Sequence, residues 1–108
     1  MDLTHKKCVP CEGGTKPFTK QEISNYMDAL KTSWEIIDDK KLRQKFEFKN
    51  FSEALEFINK VGHRAEKEGH HPDIFLTDYK FVTIELMTNA IRGLSVNDFI
   101  LAAKIEEL

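Results

Sequence analysis

The sequence predicts an α+β fold with the element order α-β-β-α-β-β-α, in which three helices cover one face of a four-stranded, mostly antiparallel sheet. Two pairs of strand-like segments each enclose a short polar turn, and such pairs favour hairpins. Helical patterns with capping residues precede, separate and follow these pairs. A chain of 108 residues suffices for one domain with a modest core. We therefore expect an irregular N-terminal arm at residues 1–18 and a single domain at residues 19–108.

The first helix is predicted near residues 20–31. Its start, Thr19-Lys20-Gln21-Glu22, has the form of a capping box, in which two side chains satisfy free backbone amides. Apolar residues then recur at helical spacing, namely Ile23, Met27 and Leu30. A strand through Trp34, Ile36 and Ile37 follows, with a polar turn at residues 38–40. The alternation in residues 45–49 places Phe46 and Phe48 on one face, so the first hairpin is predicted to be buried on one side.

The second helix carries the longest apolar stripe. Either Asn50 or Ser52 can cap its start. The predicted stripe comprises Ala54, Leu55, Ile58, Val61, Gly62 and Ala65. Phe57 and His63 fall outside it, so we expect His63 to be a solvated surface residue. Gly69 is predicted to end the helix, because glycine readily takes the left-handed conformation that closes a helix.

The second hairpin is predicted from Ile74-Phe75-Leu76, a turn at Thr77-Asp78, and a strand over residues 79–87. One face of that strand holds Val82, Ile84 and Leu86. The other face holds Phe81, Thr83, Glu85 and Met87, and its apolar ends make it a candidate contact between subunits. The segment Ser95-Val96-Asn97-Asp98 predicts the cap of the last helix. The predicted buried residues of that helix are Phe99, Ile100, Ala103 and Ile105.

Composition disfavours several classes of function. The chain has 16 Lys and Arg against 18 Asp and Glu, and this balance gives no electrostatic reason to expect direct nucleic-acid binding. No apolar run approaches the roughly 20 residues that cross a bilayer, and the N-terminus lacks the apolar region of a signal peptide. We expect a cytoplasmic protein with no membrane association. There is neither a βαβ repeat for a dinucleotide nor a glycine-rich phosphate loop.

The two cysteines stand close together near the N-terminus. With His5 they read His-x2-Cys-x2-Cys through Cys8 and Cys11, which could supply three zinc ligands. A structural zinc site needs a fourth ligand, and a redox pair needs a preceding strand and a following helix. We therefore expect neither a metal site nor a redox centre.

The segment from Glu66 to Pro72 carries the candidate chemistry. His70 and His71 lie between the helix end at Gly69 and Pro72, which forces His71 into extended geometry. Histidine exchanges protons near neutral pH, and Glu66 lies about one turn before His70, close enough to influence its charge. Proton transfer is the hypothesis, and the alternative is an ordinary pair of polar loop residues.

The pattern Glu66-x3-His70-His71-Pro72-x6-Tyr79-x9-Asn89-x8-Asp98 resembles the signature of pterin-4a-carbinolamine dehydratases. The resemblance extends through residues 68–73, 93–105 and 7–11, where it is close to the plant and bacterial branch. It implies that residues 19–108 form a dehydratase-like domain with the family's α-β-β-α-β-β-α fold. It also implies dehydration of a 4a-hydroxytetrahydropterin to a quinonoid dihydropterin and water, as in tetrahydrobiopterin recycling. The implied substrate is the pterin itself, without a further cofactor, and the implied assembly is a homodimer or homotetramer.

The resemblance also implies roles for individual residues. His70 would be the acid and base at the 4a-hydroxyl, His71 would contact the pterin, and Glu66 would tune the pair, although the two histidines could exchange roles. The implied pterin-binding residues are His70, His71, Pro72, Thr88, Asn89 and Asp98. Asp98 could both cap the last helix and orient a histidine, and Tyr79 would pack beside the pocket.

One position departs from the family pattern, because Asn89 stands where the family has a third histidine. An amide can hydrogen-bond to a pterin but cannot exchange a proton, so we expect weaker turnover and a preference for one stereoisomer. The alternative function is a non-catalytic interaction module, since animal relatives also act as dimerization cofactors of a homeodomain transcription factor.

Overall fold

The computed structural model describes residues 1–9 and 15–108. The helices are α1 (Lys20–Met27), α2 (Phe51–Glu68) and α3 (Val96–Ile105), and the strands are β1 (Glu35–Ile37), β2 (Lys41–Glu47), β3 (Asp73–Thr77) and β4 (Phe81–Leu86). Short 3-10 helices occur at Leu3–His5 and Asn89–Ile91. The strands form one sheet in the order β1-β2-β4-β3, and all three pairings are antiparallel. The predicted α+β fold is confirmed.

The core lies between one face of the sheet and the helices. The inward side chains of the two central strands include Leu42, Val82, Ile84 and Leu86, all fully buried. They belong to the same cluster as buried residues of α1, α2 and α3. Alternation along the strands therefore sorts the side chains as the sequence predicts.

The opposite face of the sheet is charged and partly apolar. Arg43 contacts Glu85 at 2.7 Å, and the ammonium groups of Lys45 and Lys80 lie 4.5 and 5.4 Å from the centre of the Phe81 ring. The use of this face as a subunit contact stays a prediction.

The buried stripe of α2 differs from the predicted one. Its buried residues are Ala54, Phe57, Val61, Ala65 and Glu68. Phe57 is only 7% exposed and its ring lies 4.9 Å from each of the Phe46 and Phe48 rings, whereas Leu55 is exposed. The exclusion of Phe57 from the stripe and the inclusion of Leu55 were wrong. His63 is exposed, as predicted.

The first helix is shorter than predicted and ends at Met27. Beyond it, the amides of Ala29 and Leu30 bond to carbonyls three residues earlier, so the chain continues as tight turns. Both hairpins have three-residue connections, 38–40 and 78–80, in which the first two residues, Asp38-Asp39 and Asp78-Tyr79, take positive φ.

The described part of the N-terminal arm packs on the domain. Leu3 is buried, and its short helix contacts α3. The boundary between arm and domain at residue 18 stays a prediction. Cys11 falls in residues 10–14, outside the described residues, so the expectations about a metal or redox pair also stay predictions. Within the described part of the chain, no helix is long and apolar enough to span a membrane.

Candidate active site

The candidate site begins at the end of α2. Gly69 takes a left-handed conformation, with φ 65° and ψ 27°, and its amide bonds to the carbonyls of Ala65 and Glu66. The amide of His70 also bonds to the Ala65 carbonyl, at 3.3 Å. The helix closes as predicted, and the chain leaves it in a new direction at His70.

His70 is held by a buried carboxylate from α3. Its Nε2 lies 2.6 Å from Oδ1 of Asp98, and the two side chains are 11% and 0% exposed. The other carboxylate oxygen, Oδ2, accepts hydrogen bonds from Oγ1 of Thr88 at 2.8 Å and from the amide of Ser95 at 3.0 Å. A carboxylate without exposure needs such donors to offset the cost of its burial.

This contact defines which nitrogen of His70 is available for chemistry. Against an ionised carboxylate, which only accepts hydrogen bonds, Nε2 of His70 is the donor and carries the proton. Among the described residues none bonds to Nδ1, which leaves that nitrogen for a ligand. Asp98 also completes the capping box of α3 with Ser95, so one side chain starts the helix and orients the histidine.

The second histidine has a different partner. Nε2 of His71 lies 3.0 Å from Oε2 of Glu66, and these side chains are 63% and 78% exposed. A pair so exposed contributes little stability. Glu66 thus contacts His71 directly, because the left-handed Gly69 breaks the helical spacing after α2. Its expected influence on the charge of His70 stays a prediction.

A cavity of about 340 Å³ lies beside both histidines, and its volume is in the range of small-molecule sites. The lining residues are Val9, Gly69, His70, His71, Met87, Thr88, Asn89, Ala90 and Asn97. A larger hollow of about 480 Å³ lies between the N-terminus and the end of α3, but the described residues around it include neither His70 nor His71. The smaller cavity is therefore the candidate site.

The structure gathers most of the predicted site residues. Among the described residues, four of the predicted ones line the cavity, namely His70, His71, Thr88 and Asn89. Asp98 lies directly behind His70. Pro72 and Glu66 are outside the lining. Tyr79 is exposed in the β3–β4 turn rather than packed beside the pocket, so that expectation was wrong.

Sequence reasoning missed Val9, Met87, Ala90 and Asn97 in the cavity lining, and Ser95 beside Thr88. Ser95 was assigned only to the helix cap, yet its Oγ lies 2.7 Å from Oγ1 of Thr88. Val9 and Asn97 meet across 88 positions of sequence, and no periodic pattern signals such a contact.

Comparisons with known proteins agree with the resemblance. Residues 16–108 match the model of the family described as Pterin 4 alpha carbinolamine dehydratase. A protein of Alkaliphilus metalliredigens is 48% identical over 106 residues, which cover 98% of this chain and 95% of that protein. A protein of Rubrobacter xylanophilus is 42% identical over 107 residues, covering 99% and 98%. Both are named "Putative pterin-4-alpha-carbinolamine dehydratase".

Solved structures support the same assignment. A transcriptional coactivator/pterin dehydratase from Brucella melitensis matches with a TM-score of 0.77 and 30% identity, covering 85% of this chain and 97% of that one. A pterin dehydratase-like protein, identified as a RuBisCO assembly factor in the alpha-carboxysome, shares the fold with a TM-score of 0.60 and 22% identity, covering 70% and 88%. With nearly the whole chain matched, this protein belongs to the pterin-4a-carbinolamine dehydratase family.

Proposed function

We propose that this chain dehydrates a 4a-hydroxytetrahydropterin to the quinonoid dihydropterin and water. The observation that carries the proposal is the buried Asp98 carboxylate on Nε2 of His70, at the wall of a cavity of suitable size. A histidine oriented in this way is equipped for general acid and base catalysis.

The elimination needs one proton delivered and one removed. The 4a-hydroxyl leaves as water after it gains a proton, the adjacent ring nitrogen loses its proton, and the N–H electron pair forms the new C=N bond. Nδ1 of His70 donates when the imidazole is doubly protonated and accepts when it is neutral, so this nitrogen serves both transfers in turn. His71 lines the same cavity and is the second proton-exchanging group. The expected reaction uses no cofactor beyond the pterin.

Asn89 limits this chemistry. It lines the cavity as the first residue of the 3-10 helix Asn89–Ile91, but an amide cannot exchange protons. The 4a-hydroxyls of the two stereoisomers project from opposite faces of the ring, so a missing acid on one side slows one isomer by about 10²- to 10⁴-fold. We expect the unmodified chain to consume one half of a racemic substrate quickly and the other half slowly.

The test is a dehydration assay on the purified chain, followed through the absorbance of the quinonoid dihydropterin. His70→Ala should lower the turnover rate by about 10²-fold or more. The matched control is His63→Ala, because His63 is exposed on α2 outside the cavity, and it should leave the rate unchanged. Asn89→His should accelerate the slow half of the substrate. Equal rates for both isomers, or full activity in His70→Ala, would contradict the mechanism.

A second candidate is a non-catalytic interaction module, which the name of the Brucella structure favours because it joins coactivator and dehydratase. The same assay separates the two. An unmodified chain without any dehydration, whose Asn89→His variant is also inactive, would favour the interaction module.

The setting of the proposed enzyme follows from the family and the composition. We expect a cytoplasmic homodimer or homotetramer without direct nucleic-acid contacts. Sedimentation that finds only monomer would contradict the assembly.

A further inference from the structure

We propose that the N-terminal segment supplies a substrate-contacting residue, Val9, to the candidate cavity, and that Asn97 is the positioning residue that holds it there. Val9 lines the cavity together with both histidines, although it lies some 60 positions before them. The identity of the ligand as a pterin rests on the proposed function. The attachment of the segment is independent of it.

Asn97 holds Val9 through a two-point contact. The amide of Val9 donates to Oδ1 of Asn97 at 3.0 Å, and Nδ2 of Asn97 donates to the carbonyl of Val9 at 2.6 Å. One side-chain amide thus satisfies both backbone groups of Val9, as a neighbouring strand would. Only a side chain with both a donor and an acceptor can make this pair. Asn97 is buried in the first turn of α3, so the contact is made from a rigid element.

The preceding residue fixes the same segment to the end of α2. The amide of Cys8 donates to Oε1 of Glu68 at 2.9 Å, and Oε2 of Glu68 accepts from Nζ of Lys104 at 2.6 Å. Both charged side chains are buried. The Cys8 thiol is buried too and lies 3.5 Å from the carbonyl of Asn97. We call residues 3–9 the N-terminal strap, which is anchored by the buried Leu3 at one end and by Val9 at the other.

The exposure of Val9 points to a contact with a ligand. Val9 is 58% exposed, so its side chain adds little to folding stability, yet its backbone is held by two hydrogen bonds. A flat bicyclic ring has apolar faces, and an isopropyl group beside the polar His70, His71 and Asn89 offers such a face a partner. The match to the family model begins at residue 16, but the alignments that cover 98% and 99% of this chain include the strap as well. The strap therefore tunes substrate affinity at the catalytic site.

Two variants test the inference through affinity. Val9→Ala keeps the strap but shortens the side chain. Asn97→Asp removes the donor to Val9 and keeps the shape of the side chain, and the acidic residue that it introduces suits the first turn of α3. The KM for 4a-hydroxytetrahydropterin should rise about three- to tenfold in Val9→Ala and at least about tenfold in Asn97→Asp, with kcat within about twofold. The Kd for 7,8-dihydropterin, which lacks the leaving hydroxyl, should rise in parallel. Asn59→Asp, on the exposed face of α2, is the matched control and should change neither constant.

The Cys8 thiol reports on the strap directly. Burial, with the Glu68 carboxylate as a lesser cause, raises the pKa of Cys8 to about 12, so the attached thiol reacts slowly. In a Cys11→Ser background Cys8 is the only thiol, since the chain has two cysteines. Asn97→Asp should speed its alkylation by iodoacetamide about tenfold or more, because the released thiol regains an ordinary pKa. Saturating 7,8-dihydropterin should slow alkylation of the otherwise unmodified chain, because a ligand that binds better with the strap attached favours attachment.

The outcomes separate this inference from the proposed function. An unmodified chain without dehydration, but with Cys8 protected by 7,8-dihydropterin, would refute the enzyme and support the strap. Faster alkylation in Asn97→Asp with an unchanged Kd would show a released strap that the ligand does not touch, and would overturn the inference. An unchanged Kd in Val9→Ala would overturn it as well, whatever the stability of Asn97→Asp.

Discussion

Replacing Asp98 with asparagine would keep the shape of a fully buried side chain and remove its charge. The carboxylate lies 2.6 Å from Nε2 of His70, 2.8 Å from Oγ1 of Thr88 and 3.0 Å from the amide of Ser95. An asparagine has only one oxygen for these donors. If that oxygen stays with Thr88 and Ser95, the new NH₂ group faces Nε2 of His70. The ring must then accept at Nε2 and carry its proton on Nδ1, so the nitrogen available to the substrate changes from acceptor to donor.

The size of the effect follows from the number of contacts that change. The helix cap survives, and one hydrogen bond of a buried group is rearranged, so the free energy of unfolding should fall by about 1–3 kcal/mol. Turnover should fall much further, by about 10²- to 10⁴-fold, because the histidine is held in the wrong tautomer.

Three measurements on Asp98→Asn separate catalysis from stability: dehydration kinetics, urea unfolding, and nitrogen chemical shifts of the imidazole ring. Glu22→Gln is the matched control, since Glu22 holds the corresponding capping-box position of α1, accepts from the Thr19 amide at 2.9 Å and does not line the cavity. Glu22→Gln should lower the free energy of unfolding and leave turnover unchanged. An Asp98→Asn variant with near-normal turnover, or with the Nε2 proton still in place, would refute the reasoning.

Three perturbations away from His70 have outcomes set by packing and charge. Phe57→Ala should lower the free energy of unfolding in urea by about 3–5 kcal/mol, because it empties a site between two aromatic rings. Glu106→Gln should lower the free energy of unfolding by about 1–2 kcal/mol, because the carboxylate accepts hydrogen bonds from two backbone amides, a hydroxyl and the Trp34 indole N–H. The fluorescence of Trp34, the one tryptophan of the sequence, should report the loosened contact. Burial acts to raise the pKa of Glu68, but hydrogen bonds from Lys104 and the Cys8 amide outweigh it and hold the pKa below its ordinary 4.5. The folded state therefore binds fewer protons there, so this stabilisation is present above pH 4.5 and lost as the pH falls below it. Urea unfolding at a series of acid pH values should show a flatter profile in the double variant Glu68→Gln, Lys104→Met.

Local patterns account for most of the fold that could be predicted. The capping boxes at Thr19 and Ser95 depend on residues three apart, and the left-handed Gly69 depends on one residue, so each can be recognised in a short window. The error at Phe57 has a different origin. Two overlapping stripes on α2 both have helical spacing, one through Leu55 and one through Phe57. Only the rings of Phe46 and Phe48, on the preceding hairpin and just beyond it, decide which of them is buried.

The site residues also divide into those that a sequence pattern predicts and those that depend on the folded structure. His70, His71 and Asp98 could be recognised because their types and spacing match a known pattern. The direct contact between Glu66 and His71 could not be predicted, because it depends on the turn that Gly69 makes. Val9 could not be found either, since its contact requires the N-terminus to cross the start of α3.

The start of α3 joins the stability of the fold to the geometry of the site. Oδ2 of Asp98 accepts the Ser95 amide that caps the helix, and Oδ1 holds the ring of His70. One residue earlier, the side chain of Asn97 holds Val9 on the cavity wall. A shift of this single helical turn would therefore move the histidine and the strap together. The candidate general acid, His70, and the inferred substrate contact, Val9, are thus positioned by one rigid element, although they lie far apart in the sequence.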